Sequence, residues 1–175
     1  MSGHDHSSQT PAAWLVANRA LLPPAGRALD VACGHGRNAL WLAARGFDTT
    51  AVDRDAATVA ALDARARREG LPLTARAMDL EVEGARLGDD AYDVIVVVHY
   101  LHRPLFPALL AALRPGGVMV YETFTVAQAA RGRPTNPAFL LAPGELARLV
   151  APLEILAARE GDYEGRMVSS VVGRC

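Results

Sequence analysis

Residues 28–55 read ALDVACGHGRNALWLAARGFDTTAVDRD, and this stretch decides the fold. Ala28–Cys33 is a short apolar run of strand length that stops at Gly34-His35-Gly36. Asn38–Arg45 then places apolar residues at helical spacing, and Gly46 closes it as a C-terminal cap. Thr49–Asp53 is a second strand-like run. A strand, a glycine turn, a helix and a second strand make one βαβ unit, which places the two strands parallel.

The same alternation continues downstream. A helix is expected over Ala56–Glu69, stopped by Gly70, followed by strands over Leu73–Met78 and Ala91–His99. A helix over Leu105–Leu113 should end at Pro115-Gly116-Gly117, before a strand over Val118–Phe124. Pro143–Ala151 reads as a helix, and Leu153–Arg159 and Met167–Arg174 as two strands joined through Gly161–Gly165. That join is too short for a crossover helix, so the last two strands pair antiparallel. The expected fold is α/β: a doubly wound, seven-stranded, mostly parallel sheet with one antiparallel strand near an edge. Upstream, Pro11–Leu22 reads as a helix capped by Thr10. Residues 1–10 read as a loose polar arm and 11–175 as a single domain. His4, Asp5 and His6 lie in the arm and are too few to close a metal site, so no metal is expected.

Composition removes whole classes. The 175 residues are 51% hydrophobic with a net charge of -1, which fits a packed domain and not a disordered chain. A balanced charge gives no basic stripe for nucleic acid. All 18 basic residues are arginine, so lysine Schiff-base and lysine general-base chemistry are excluded. Two cysteines, Cys33 and Cys175, form no disulfide framework and fit a reducing compartment. Neither a membrane-length apolar run nor a signal-peptide pattern is present, which makes the cytoplasm the expected location.

Gly34-x-Gly36-x-x-Ala39 follows a strand and opens a helix, so backbone and free amides can approach a ligand there. The pattern alone fits nicotinamide dinucleotide sites as well as others. Asp30, four residues before Gly34, would repel a pyrophosphate at this loop and suits an ammonium instead; it could also serve the amides at the helix start. Asp53 ends the second strand where an acid can accept hydrogen bonds from ribose hydroxyls. Met78-Asp79-Leu80 ends the third strand with an acid among apolar residues, as an adenine edge requires. A ribose, an adenine and a cationic amino-acid tail together describe S-adenosylmethionine.

Residues 28–55 resemble the cofactor-binding half of class I S-adenosylmethionine-dependent methyltransferases. The continuation Gly34 to Asn38 (GHGRN) is most similar to the tellurite-resistance and thiopurine-type small-molecule methyltransferases. MDLE (78–81), YDVIVVVHYLH (92–102) and LRPGGVMVYETF (113–124) fall where that family's later motifs belong. The resemblance covers roughly residues 25–124 and implies the Rossmann-like methyltransferase fold. It implies that Asp30, Ala32, Gly34 and Gly36 surround the methionine part of the cofactor and that Cys33, Arg37 and Asn38 belong to the same binding set; Arg37-Asn38 reads alternatively as the opening of the helix. Asp53 would bind the ribose, Arg54 would lie beside the adenine, and Asp79 and Leu80 would hold it. His99 would line the place where cofactor meets acceptor.

His99, Tyr100 and His102 cluster at a strand end, and His99 is the candidate catalytic residue, either as a base or as packing against the cofactor. Cys33 reads as a small buried residue and not a nucleophile. Trp14 reads as core or as a lid over the cofactor. Tyr121, Glu122 and Thr123 end the fifth strand and should reach the pocket rim. Thr125–Pro137 carries Arg131 and Arg133 and is either a solvated loop or a wall that recognises an anionic substrate. No Asn-Pro-Pro-Tyr follows the fourth strand, which counts against methylation of base or amide nitrogen. The expected activity is methyl transfer to a small-molecule acceptor such as a thiol or chalcogen nucleophile. The alternatives are an NAD-dependent oxidoreductase and a non-catalytic partner subunit of the same fold.

Overall fold

In the computed structural model, residues 9–175 are described; the arm with His4, Asp5 and His6 lies outside the described residues apart from Gln9 and Thr10. Seven strands form one sheet: β1 (Arg27–Val31), β2 (Asp48–Asp53), β3 (Leu73–Ala77), β4 (Tyr92–Val98), β5 (Leu113–Phe124), β6 (Glu154–Tyr163) and β7 (Arg166–Arg174). Their order is β3-β2-β1-β4-β5-β7-β6. Strands β1 to β5 pair parallel, and β7 runs antiparallel between β5 and β6. The expected doubly wound topology, with one reversed strand near an edge, is what the chain adopts.

Side chains alternate across each strand, so each strand feeds two cores. Leu29, Val31, Ile95, Val97, Met119 and Tyr121 pack on one face. There they meet α4 (Phe106–Ala112) and α5 (Glu145–Leu149). Ala28, Val94, Val96, Val118 and Val120 pack on the other, against Trp14 and Leu15 of α1 (Ala13–Ala17) and Leu42 of α2 (Arg37–Ala44). A third cluster joins α2 and α3 (Ala56–Glu69) to β2 and β3.

Several expected boundaries move. The first helix spans only Ala13–Ala17 and continues as a 3-10 turn over Arg19–Leu21. Its N-cap is Ala12, without a side-chain cap, so Thr10 does not cap it. Strand β5 begins at Leu113 and carries Pro115-Gly116-Gly117 as an irregularity: Tyr92 pairs with Leu113, but Val94 pairs with Val118. Gly116 takes a left-handed φ of 80°, which favours glycine at that bend. Strand β6 runs on to Tyr163, and only Glu164 and Gly165 turn the hairpin, both at positive φ as a tight primed turn requires. Segment 125–142 holds two 3-10 turns, Val126–Ala130 and Pro137–Phe139. No helix among the described residues is long and apolar enough to cross a membrane.

Candidate functional site

The carboxyl ends of β1 to β5 open into two cavities on opposite sides of the sheet edge. The larger, about 640 Å³, is lined by Asp53 and Arg54 after β2, Met78, Asp79 and Leu80 after β3, and Tyr100, Thr123 and Phe124 from β4 and β5. The smaller, about 560 Å³, is lined by Cys33, Gly34, His35 and Arg37, by Thr10 and Pro11, and by Glu164 and Arg166 of the hairpin turn. Ala32 and His99 line both cavities and form the ridge between them. Both ridge residues take left-handed backbone, with φ of 53° and 58°. Non-glycine residues rarely adopt that conformation, and such strain collects at working sites.

The glycine loop owes its shape to three contacts. Gly36 is the N-cap of α2 at φ 80°, and a methyl group on it would overlap Leu62 of α3. Gly34 has φ of 53° and open space where a side chain would stand. The Gly34 amide donates to Asp53 Oδ2 at 2.9 Å, while Asp53 Oδ1 accepts from Asp55 N at 3.0 Å. Asp53 is thus fixed between loop and cavity. Asp79 Oδ1 accepts from the Glu81 amide at 2.9 Å, which turns the chain after β3.

Three expected ligands, Asp30, Asn38 and Gly36, line neither cavity. Asp30 shares the face of Ala28, is 1% exposed, and accepts from the Ala39 amide of α2 at 2.9 Å. Burial raises its carboxyl pKa to about 7, partly offset by the Ala39 hydrogen bond. Asn38 is buried and accepts from the Ala12 amide at 2.9 Å, tying α2 to the segment before α1. Gly36 lies behind the loop, whereas Ala32, Cys33, Gly34, Arg37, Asp53, Arg54, Asp79, Leu80 and His99 all reach a cavity. Cys33 is buried, and desolvation pushes its thiol well above the usual range, which leaves it protonated and inert.

His99 stacks on Phe124 with ring centroids 4.6 Å apart. Desolvation, then the nearby Arg166 and Arg37, lowers its pKa to about 4, so the imidazole is neutral at pH 7. Tyr100 carries the one buried side-chain polar atom among the described residues that lacks a hydrogen-bond partner. Tyr100 lines the large cavity together with Asp53 and Asp79, but its hydroxyl oxygen is itself buried.

Tyr121 and Glu122 turn away from the rim. Tyr121 is buried, donates to the Tyr100 carbonyl at 2.7 Å and stacks on Phe106. Glu122 is buried on the opposite face with Arg159 at 3.0 Å and Ser170. Of the three, only Thr123 reaches the large cavity: Glu122 points to the opposite face, and Tyr121, on the face of Thr123, lies two residues further inside the strand. Trp14 is core, not a lid: it is 8% exposed and its indole N–H donates to the Val171 carbonyl at 3.2 Å. Arg166, Glu164 and Phe139 are site residues that the sequence did not mark. The first two arrive only because β7 runs antiparallel and carries its turn back to the carboxyl edge. No group of three or more metal-ligating side chains occurs among the described residues.

The family profile described as tellurite resistance protein TehB matches residues 5–155. The chain belongs to the TehB family. Among curated relatives, Hemagglutinin 1 of Eikenella corrodens is 42% identical over 98 residues, covering 52% of this chain and 32% of that protein. A probable S-adenosyl-L-methionine-dependent methyltransferase TehB of Haemophilus influenzae is 27% identical over 88 residues, covering 50% of this chain and 31% of that one. Each match therefore spans about a third of the relative's own length. The crystal structure of TehB from Haemophilus influenzae superposes with a TM-score of 0.75 at 22% identity, covering 92% of this chain and 60% of that chain. A methyltransferase structure from Mesorhizobium loti superposes with a TM-score of 0.72 at 22% identity, covering 94% and 98%. This TehB-family chain has the Rossmann-like methyltransferase fold.

Proposed function

We propose that this protein binds S-adenosylmethionine across the ridge of Ala32 and His99 and transfers its methyl group to a small-molecule acceptor. One observation carries the reading. Acids that can accept from a nucleoside lie on one side of the ridge, and cations that can hold a carboxylate lie on the other. Asp53 faces the ribose hydroxyls, while Asp79, Leu80, Met78 and Arg54 frame the adenine. Arg37 and Arg166 hold the amino-acid carboxylate, and Gly34 lets the ligand pass close to the backbone. Asp30 and Asn38 act from behind, by fixing the start of α2.

When bound, S-adenosylmethionine supplies a methyl group activated by a sulfonium. His99 stays neutral and so does not repel that positive charge. With a pKa of about 4 the same ring is a weak proton acceptor, so it shapes the transfer site and takes no proton. The chain has no lysine, so an acceptor that arrives already ionised suits the site best. A thiolate or another soft chalcogen nucleophile fits. The protein's contribution is then alignment of acceptor and methyl group.

Calorimetric titration tests the reading. Micromolar binding of S-adenosylmethionine is expected, and Asp53→Ala should weaken it about tenfold or more, the cost of hydrogen bonds to a charged group. Tighter binding of NADH would instead favour the oxidoreductase.

A further inference from the structure

The wall of the large cavity at β5 is left unused by the cofactor. Between the tips of β2 and β5 lie β1 and β4, so the two ends of the cavity stand three strand spacings of about 4.8 Å apart. Phe124 and Thr123 form the β5 end, joined by Arg133, Pro134, Thr135, Asn136 and Phe139. The segment is fixed in place. Leu141 N donates to the Phe124 carbonyl at 2.9 Å, Gln128 Nε2 to the Arg133 carbonyl at 3.1 Å, and Arg103 to the Ala138 and Leu140 carbonyls.

Its charges are divided unequally. Arg131 pairs with Asp162, and Arg103 pairs with Glu145. Arg133 lines the cavity and takes part in no ion pair among the described residues. Phe139, 47% exposed, lines the same cavity, and Phe124 continues the apolar wall. A small inorganic oxyanion needs several donors around it and gains nothing from aromatic walls. An apolar body laid on Phe139 and Phe124 gains about 25 cal/mol per Å² removed from water. A guanidinium matches a carboxylate through two parallel hydrogen bonds.

We propose that the methyl acceptor is an amphipathic organic anion, an arylthiol carrying a carboxylate, whose ring packs on Phe139 and Phe124 while its carboxylate pairs with Arg133. This rests on the cofactor reading above. The thiol loses its proton to water before transfer. A sulfur lone pair of the thiolate then forms the new bond to the methyl carbon. The bond from that carbon to the sulfonium breaks, and its electron pair stays on the cofactor sulfur. A methyl thioether and S-adenosylhomocysteine result.

The test uses the full chain saturated with S-adenosylhomocysteine. Calorimetry compares 4-(methylthio)benzoate with its neutral counterpart 4-(methylthio)toluene. The benzoate should bind about tenfold tighter, one guanidinium–carboxylate contact. Arg133→Gln should abolish that preference, and Arg131→Gln, the same charge loss two residues earlier at an arginine paired with Asp162, should keep it. Phe139→Ala should weaken both ligands. With S-adenosylmethionine, 4-mercaptobenzoate should be turned over faster than 4-methylbenzenethiol or tellurite, followed by S-adenosylhomocysteine release. Equal binding of the two thioethers, a preference that survives Arg133→Gln, or faster turnover of tellurite overturns the acceptor class and leaves the cofactor reading intact. Failure of S-adenosylhomocysteine to bind overturns both.

Discussion

Buried Asp30 and half-buried His99 are titratable groups whose desolvation acts in opposite directions on stability. Asp30 has a folded pKa near 7 against an ordinary 3.8, so the folded state holds its proton longer and stability falls as pH rises between those values. His99 has a folded pKa near 4 against an ordinary 6.5, so the unfolded state takes up a proton first and stability falls as pH drops through that window. The two contributions oppose each other over nearly the same range. Asp30→Asn should therefore gain stability relative to the parent as pH rises from 4.5 to 7.5, on the order of 1–3 kcal/mol by the upper end. His99→Gln should gain relative to the parent as pH falls. Urea denaturation at a series of pH values checks both signs, and parallel slopes for parent and variants would refute the assignments. Asp53 and Asp79 were legible as cavity-lining acids, because the carboxyl ends of β2 and β3 open onto the cavity in this topology. Asp30 was legible as an acid near the loop, but its partner, the Ala39 amide, depends on which face of β1 it occupies. Glu122 went astray for the same reason, since it faces the opposite core, whereas Tyr121 lies too far inside the strand and is covered by the chain at Tyr100 and by Phe106.

At the scale of elements, the glycine loop separates folding from binding. Gly36 sits against Leu62 in left-handed backbone, so Gly36→Ala brings both strain and overlap. A loss of about 2 kcal/mol or more is expected in urea denaturation, since overpacking and backbone strain each cost roughly 1–3 kcal/mol. Gly34 has the same kind of backbone but open space around the missing side chain. Gly34→Ala should fold with a penalty of only about 1 kcal/mol, the cost of left-handed backbone alone. It should nonetheless lose most affinity for S-adenosylmethionine, because the new methyl group occupies the path of the ligand. Comparable affinity in both variants would mean that the loop is not the cofactor's seat. The strands and most helices of this unit were legible from period and punctuation. The helix over Pro11–Leu22 was not, because its apolar spacing reflects two short turns packed on the sheet: α1 and the following 3-10 turn. Strand β5 gained residues at its start because pairing with Tyr92 resumes before the Pro115–Gly117 irregularity, a tertiary effect that no local propensity announces.

Across the whole molecule, the far ends of the chain are joined behind the small cavity. Glu122 at the end of β5 accepts from Arg159 of β6 and from Ser170 of β7. The Arg159 guanidinium lies 4.6 Å from the Trp14 ring centroid and 4.0 Å from that of Tyr163. Trp14 in turn bonds to Val171, and the residues just before it, Thr10 and Pro11, form one wall of the cavity. The backbone carbonyl of Glu122 accepts from the His99 amide at 2.8 Å, so the same residue also holds the ridge. None of this is readable from spacing, because it joins positions 14, 122, 159 and 170 through the reversed strand. Arg159→Met keeps the apolar stem against Trp14 but leaves the Glu122 carboxylate buried with only a hydroxyl. It should cost about 2 kcal/mol or more in urea denaturation, since charge-assisted bonds contribute about 1.5–3 kcal/mol and an orphaned charge adds its desolvation. The double variant Glu122→Leu/Arg159→Met removes both charges and should recover most of that loss. Affinity for S-adenosylmethionine should follow stability through this series, because the network supports the wall that Thr10 and Pro11 provide. A double variant as unstable as Arg159→Met alone would mean that the arginine acts by packing on Trp14 and Tyr163, with the ion pair contributing little.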